Sequence, residues 1–138
     1  MDVSITIPAQ TVTIPSQSVD VTIPAAKIVY QNAWLNQTSA ISNTAIFTTS
    51  GEGLFRLTVA ILAVGSGICS AYTSLAVPGT GVSASSAYSP SNSPAQVNYP
   101  ATAVFAGSTG GGDDIYLQAA NYGSITYYDL YVTIEQIQ

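Results

Sequence analysis

The stretch "YYDLYVTIEQI", residues 127–137, places Tyr128, Leu130, Val132 and Ile134 at one parity and Asp129, Tyr131, Thr133 and Glu135 at the other. Period two is the repeat of a half-buried β-strand, and no stretch of the chain sustains the 3.6-residue period of an amphipathic helix. "LFRLTVAILAV", residues 54–64, repeats the pattern more strongly. Phe55, Leu57, Val59 and Ile61 make one wholly apolar face, and burying each large side chain contributes roughly 1.5 to 3 kcal/mol. The opposite face carries Arg56, Thr58, Ala60 and Leu62, which is only half polar. A strand of that kind suits a sheet whose outside is partly covered by another subunit. The chain is therefore read as all-β.

Turn signals divide the rest. "KIVYQNAW" (27–34) and "AIFTTS" (45–50) read as strands, "SGEG" (50–53) as a turn and "CSAYTSLAV" (69–77) as a separate strand. "PGTGVSASSAYSPSNSPAQVNYP" (78–100) is rich in Gly, Pro, Ser and Asn and reads as a long loop with room for one short strand. "ATAVFAGS" (101–108) is a strand, "TGGGDD" (109–114) a tight turn or hairpin tip and "IYLQAANYG" (115–123) its partner strand. Short strands at this spacing predict a β-sandwich, of jelly-roll type, over residues 26–138.

Residues 1–25 are different. Val3, Ile5 and Ile7, then Val12 and Ile14, then Val19, Val21 and Ile23 alternate with polar residues, and Thr-Ile-Pro recurs at 6–8, 13–15 and 22–24. Proline donates no ladder hydrogen bond and sits at strand ends, so each unit is a short strand closed by a bend. Strands of about four residues cannot bury an apolar face alone, and copies from neighbouring chains would solve that problem. The segment reads as a β-stalk or docking arm, its contacts carried by Ile7, Pro8, Ile14, Pro15, Ile23 and Pro24. The plainer alternative is a flexible Pro-rich tail.

Composition excludes much. Of 138 residues 47% are hydrophobic and only 7% charged, against about 25% in ordinary domains. Lys27 and Arg56 are the only cations and the net charge is −5, so the chain is not expected to bind nucleic acid. The longest apolar run, 57–64, is far short of the roughly 20 residues that span a bilayer, and membrane insertion is not expected. With Met1 taken as the start, no signal peptide is read and synthesis in a cytoplasm is expected. Cys69 stands alone, which rules out an intrachain disulfide, and it reads as a small apolar residue at the end of a buried strand. The chain has no histidine, which removes Ser-His-Asp chemistry and histidine metal sites.

The remaining candidates have two readings each. Asp113 and Asp114 follow "GSTGGG" and are read either as cation ligands or as a solvated turn. Asp129 and Glu135 lie six residues apart on one strand face, roughly 20 Å, too far for paired-carboxylate hydrolysis. Asp113 with Glu52 or Asp129 stays open, with nothing to recommend it. No cofactor is implied, and no enzyme is expected. Tyr88, Asn92, Gln96, Asn98 and Tyr99 lie in or beside the long polar loop and form a candidate ligand loop, since recognition concentrates in loops held on a rigid scaffold. Tyr116, Tyr127, Tyr128 and Tyr131 read as strand aromatics that bury a ring and wet a hydroxyl. "NQT" at 36–38 matches a glycosylation acceptor but means little without a secretory route.

"GEGLFRLTVAI", with Gly53 to Arg56 opening a central strand, and the aromatic-rich end "YYDLYVTIEQIQ" together resemble the trimeric jelly-roll domains of the tumour necrosis factor and complement globular-head type. The resemblance covers roughly residues 27–138. It implies a homotrimer in which Phe55, Leu57, Val59, Tyr128, Leu130 and Val132 pack in the core or about a threefold axis, with the final strand running through the trimer centre. Similar domains occur at bacteriophage fibre tips and on capsid surfaces, behind repetitive β-stalks. The implied function is a non-enzymatic structural protein of a virion surface, a capsid decoration protein or short head fibre. Its partners would be itself and the capsid or tail proteins of the virion. The alternative is a receptor- or glycan-binding tip of a tail fibre, or a secreted carbohydrate-binding adhesin, whose partner is a host-surface glycan.

Overall fold

A computed structural model describes residues 5–6, 10–14, 19–23, 25–88 and 100–138, and the side chains of residues 25–66, 70–87 and 100–138. Every described element is a strand: β1 (Ile5–Thr6), β2 (Gln10–Ile14), β3 (Val19–Ile23), β4 (Lys27–Gln37), β5 (Ile41–Thr48), β6 (Gly53–Val77), β7 (Val82–Tyr88), β8 (Ala101–Gly107) and β9 (Asp114–Gln136).

The first three strands form a small antiparallel sheet, β1-β2-β3, within one chain. Its register aligns Ile5 with Val12 and Val12 with Val21, and pairs Ile14 with Val19. The alternating runs of the Thr-Ile-Pro segment therefore find ladder partners in one another rather than requiring strands from other chains. Short connections make such hairpins the cheapest pairing available, because loop closure costs little at that length.

All remaining strands belong to one sheet organised by two long antiparallel strands, β6 and β9, paired along almost their whole length. Each flanking strand covers only half of a long one. β8 pairs residues 53–59 of β6, and β7 pairs residues 71–77. On the other side β4 pairs residues 128–136 of β9, and β5 pairs residues 114–119. The result is two four-stranded leaves, β4-β9-β6-β8 and β5-β9-β6-β7, sharing their central strands. β7 and β8 come together across the remaining gap, so the sheet curls into a nearly closed, barrel-like arrangement.

Facing is preserved across both leaves by an irregular stretch with two register shifts, whose net effect is one surplus residue in β6. Leu57 opposes Ile134 and Ile61 opposes Leu130 in the first leaf, and Leu75 opposes Leu117 in the second. All six are buried. Inward residues of β6 are odd-numbered throughout, whereas those of β9 are even at 128–134 and odd at 115–119. The switch occurs where Val64 opposes Tyr127 and Cys69 opposes Gly123, so β6 advances five residues while β9 retreats four. One surplus residue in β6 re-phases the ladder, as a β-bulge does.

The core between the leaves is closed by aromatics. Phe55 and Phe105 stack at 5.4 Å, and Tyr30 of β4 meets Phe47 of β5 at 6.0 Å. Tyr128 is fully buried, its hydroxyl donating to the Ser39 carbonyl, and burial raises its pKa. Thr73, also fully buried, satisfies its hydroxyl on the Gln118 carbonyl at 3.1 Å.

Within residues 78–100 a turn at 78–81 leads into the seven-residue strand β7, the one short strand that stretch had room for. Two expectations are corrected. Residues 69–77 are not a separate strand but the second half of β6, because the Gly-Ser stretch after Val64 bulges without leaving the sheet. Residues 101–107 and 115–123 do not form a hairpin, since β8 pairs β6 instead. The inward face of β8, with Phe105 opposite Phe55, is matched by β6, and "TGGGDD" crosses between leaves.

Candidate functional site

Four of the seven carboxylates, Asp113, Asp114, Asp129 and Glu135, are engaged in hydrogen bonds or an ion pair. Asp113 accepts from the Ser108 backbone N–H at 2.6 Å, the Ser108 hydroxyl at 2.7 Å and the Thr49 hydroxyl at 3.3 Å. These bonds, the Ser108 backbone foremost, hold its pKa below the ordinary carboxylate range. Its own N–H donates to Thr49 Oγ1, and the Thr49 N–H donates to its carbonyl, both at 3.0 Å. The pair thereby ties the β8–β9 crossing to the turn between β5 and β6. Gly111 completes the junction at φ 70°: a Cβ there would stand 2.6 Å from Gly51 N and from Ser50 C. Asp114 accepts from the Thr48 hydroxyl at 2.6 Å and Asp129 from the Asn36 N–H at 2.7 Å, where Asn36 adopts φ 54°. Glu135 takes the Arg56 guanidinium at 2.6 Å, which lowers the pKa of the acid and raises that of the base. Among the described residues no three metal-ligating side chains come together.

The six residues expected at the core or threefold axis, Phe55, Leu57, Val59, Tyr128, Leu130 and Val132, all lie in the core of a single chain. What faces outward from the β4-β9-β6-β8 leaf is the opposite parity. Pairing sets Ile28, Glu135, Arg56 and Val104 in one row and Ala33, Tyr131 and Ala60 in another, with Asp129 opposite Leu62 beyond them. Ile28 is 54% exposed, Leu35 51%, Val104 48% and Tyr131 45%. Tyr131 thus does not bury its ring as a strand tyrosine was expected to. Large side chains left half-open on one face, with a single ion pair among them, form a surface suited to a partner.

The β5-β9-β6-β7 leaf has a different outer face. Its rows run Ala45, Tyr116, Ala76, Ser83; then Gln118, Ser74, Ser85; then Ala120, Tyr72, Ala87; then Tyr122 opposite Ser70. Small, hydroxyl and amide groups surround two open rings, Tyr122 at 63% exposure and Tyr72 at 37%. Sequence reading missed both. The legible signal was the parity of 70, 72, 74 and 76, which spells Ser, Tyr, Ser, Ala with neither charge nor aliphatic bulk.

Of the candidate ligand loop, Tyr88 ends β7 with its side chain outside the described set, and Asn92, Gln96, Asn98 and Tyr99 lie outside the described residues. The same holds for Ile7, Pro8, Pro15 and Pro24 of the arm, while Ile14 and Ile23 end β2 and β3. The side chain of Cys69 is also outside the described set. Among the described residues no helix is long and apolar enough to cross a membrane. No protein-family model matches the chain, and no curated protein matches it.

Proposed function

We propose that this chain is a jelly-roll protein that assembles as a homotrimer and serves as a non-enzymatic structural component of a virion surface, a capsid decoration protein or short head fibre. The fold reading is supported by strand order. Counting each half of β6 and β9 as one segment gives eight, ordered 1-8-3-6 in one leaf and 2-7-4-5 in the other. That is the order of a double Greek key closed as a jelly roll.

The observation that carries the assembly is the outer face of the β4-β9-β6-β8 leaf. Ile28, Leu35, Val104 and Tyr131 leave open apolar surface there, on a chain whose surface has little charge to keep copies apart. The residues expected on the axis are consumed by the chain's own core, so their outward neighbours on the same strands take the contact. The virion setting rests on the pairing of such a domain with a preceding short β-sheet closed by Thr-Ile-Pro units, which fits a docking element.

Light scattering tests the assembly. A mass three times the 14.2 kDa of one chain is expected, and a monomer at micromolar concentration would remove the reading. Removal of residues 2–25 should leave a folded trimer that no longer attaches to its particle. A second reading, a glycan-binding tip, is favoured by the aromatic outer face of the other leaf.

A further inference from the structure

We propose that the outer face of the β5-β9-β6-β7 leaf is a binding platform for an uncharged oligosaccharide, built on the rings of Tyr72 and Tyr122. Both rings belong to the described strands β6 and β9, and the proposal does not depend on the trimer.

Tyr72 opposes Ala120 across the β6–β9 ladder, so Tyr122 is its diagonal neighbour on the same face. Diagonal positions on adjacent strands lie roughly 7 to 8 Å apart, within reach of one another's rings. The alanines opposite and beside Tyr72, Ala120 and Ala87, are too small to cover it. The hydroxyls of Ser74 and Ser85, themselves paired at 3.4 Å, lower the pKa of Tyr72.

The chemistry of the surround selects the ligand. A sugar ring offers a face of C–H groups to the electron-rich face of an aromatic ring and a rim of hydroxyls to polar neighbours. Ser70, opposite Tyr122, and Gln118, in the row next to that of Tyr72, supply such neighbours. Lys27 and Arg56, the only cations in the sequence, both belong to strands of the other leaf, β4 and the first half of β6. A phosphate, an acidic sugar or an acidic peptide therefore finds no counter-charge here. Asp114, at the rim beside Tyr116, further disfavours an anion. The exposed aliphatics Ile28, Leu35 and Val104 also belong to the other leaf, which leaves a second copy of the chain no exposed large aliphatic anchor on this one among the described residues.

The test is amide NMR of the full chain titrated with maltopentaose, cellopentaose, mannopentaose and a β-1,4-galactopentaose. At least one should shift the amides of residues 70–74 and 118–122 below ~10 mM, the range of a weak single-site interaction. Tyr122→Ala should weaken that binding roughly tenfold, and Tyr122→Phe should restore it, since the ring rather than the hydroxyl does the stacking. Tyr122 is open enough that the variant keeps its fold, which near-ultraviolet circular dichroism checks; Tyr72→Ala is the second variant. The proposal is overturned if none of the four sugars moves these amides, or if binding survives Tyr72→Ala and Tyr122→Ala unchanged. It is equally overturned if the amides move only with protein concentration, which would mean a second copy covers the face. None of these outcomes bears on the mass measured by light scattering, so the two proposals fail separately.

Discussion

Gly111 and Asp113 show how few residues hold the crossing between the leaves. At Gly111 a side chain would need a left-handed φ and would drive a Cβ into the Ser50–Gly51 backbone, which has no flexible end to yield. Gly111→Ala should cost about 1 to 3 kcal/mol, read as a lower urea midpoint at unchanged slope. Asp113 gives the pH dependence. Its folded pKa is depressed, so the unfolded chain binds a proton more readily than the folded one. The stabilisation is fully present above the unfolded value, about pH 4, and is lost as pH falls through the lower folded value. Asp113→Asn should lower stability at neutral pH and flatten the acid limb; superimposable acid limbs for the two proteins would refute this. Sequence alone left Asp113 between cation ligand and solvated turn, because its bonds to Ser108 depend on the path of a glycine-rich turn and its other partner, Thr49, is 64 positions away. Local reading cannot see such a bond.

The two long strands show what period-two patterning can and cannot reveal. The faces of residues 54–64 and 127–135 were legible, because burial on one side forces alternation and a slip by one residue would expose every core side chain. The continuity of β6 was not. Gly65, Ser66 and Gly67 carry the composition of a break, yet the backbone runs on, carrying the surplus residue that re-phases β9. The partner of β8 was hidden for a related reason: pairing is chosen by facing chemistry across distant sequence, and a glycine-rich turn beside it invites a hairpin reading. The bulge predicts the effect of a deletion. Removing the exposed Ser66 restores an even ladder and turns Ile115 and Leu117 toward solvent whenever Leu57 and Ile134 stay inward. That variant should lose its near-ultraviolet circular dichroism and its cooperative melt, whereas Ser66→Ala should keep both.

At the scale of the molecule the all-β class was legible and the barrel-like closure was not, since closure depends on β7 meeting β8 from opposite ends of a shared strand. The half-polar parity of residues 56–62 did foreshadow an outer face with open apolar surface. If copies meet there, Leu35→Asp and Tyr131→Asp should each yield a smaller species, and the wild-type melting temperature should rise with protein concentration while those of the variants stay flat. The sharing of β9 by both leaves has a consequence for biosynthesis. Residues 114–136 fill the central place in each leaf, so neither can be completed until the ribosome has released that stretch. Until then Phe55, Leu57, Val59 and Ile61 emerge on a nascent chain with an unpaired strand edge, the condition in which polypeptides recruit chaperones or stick to one another. Yield on expression should therefore track the pace of translation through the codons of residues 114–136 more closely than it tracks the stability of the folded chain.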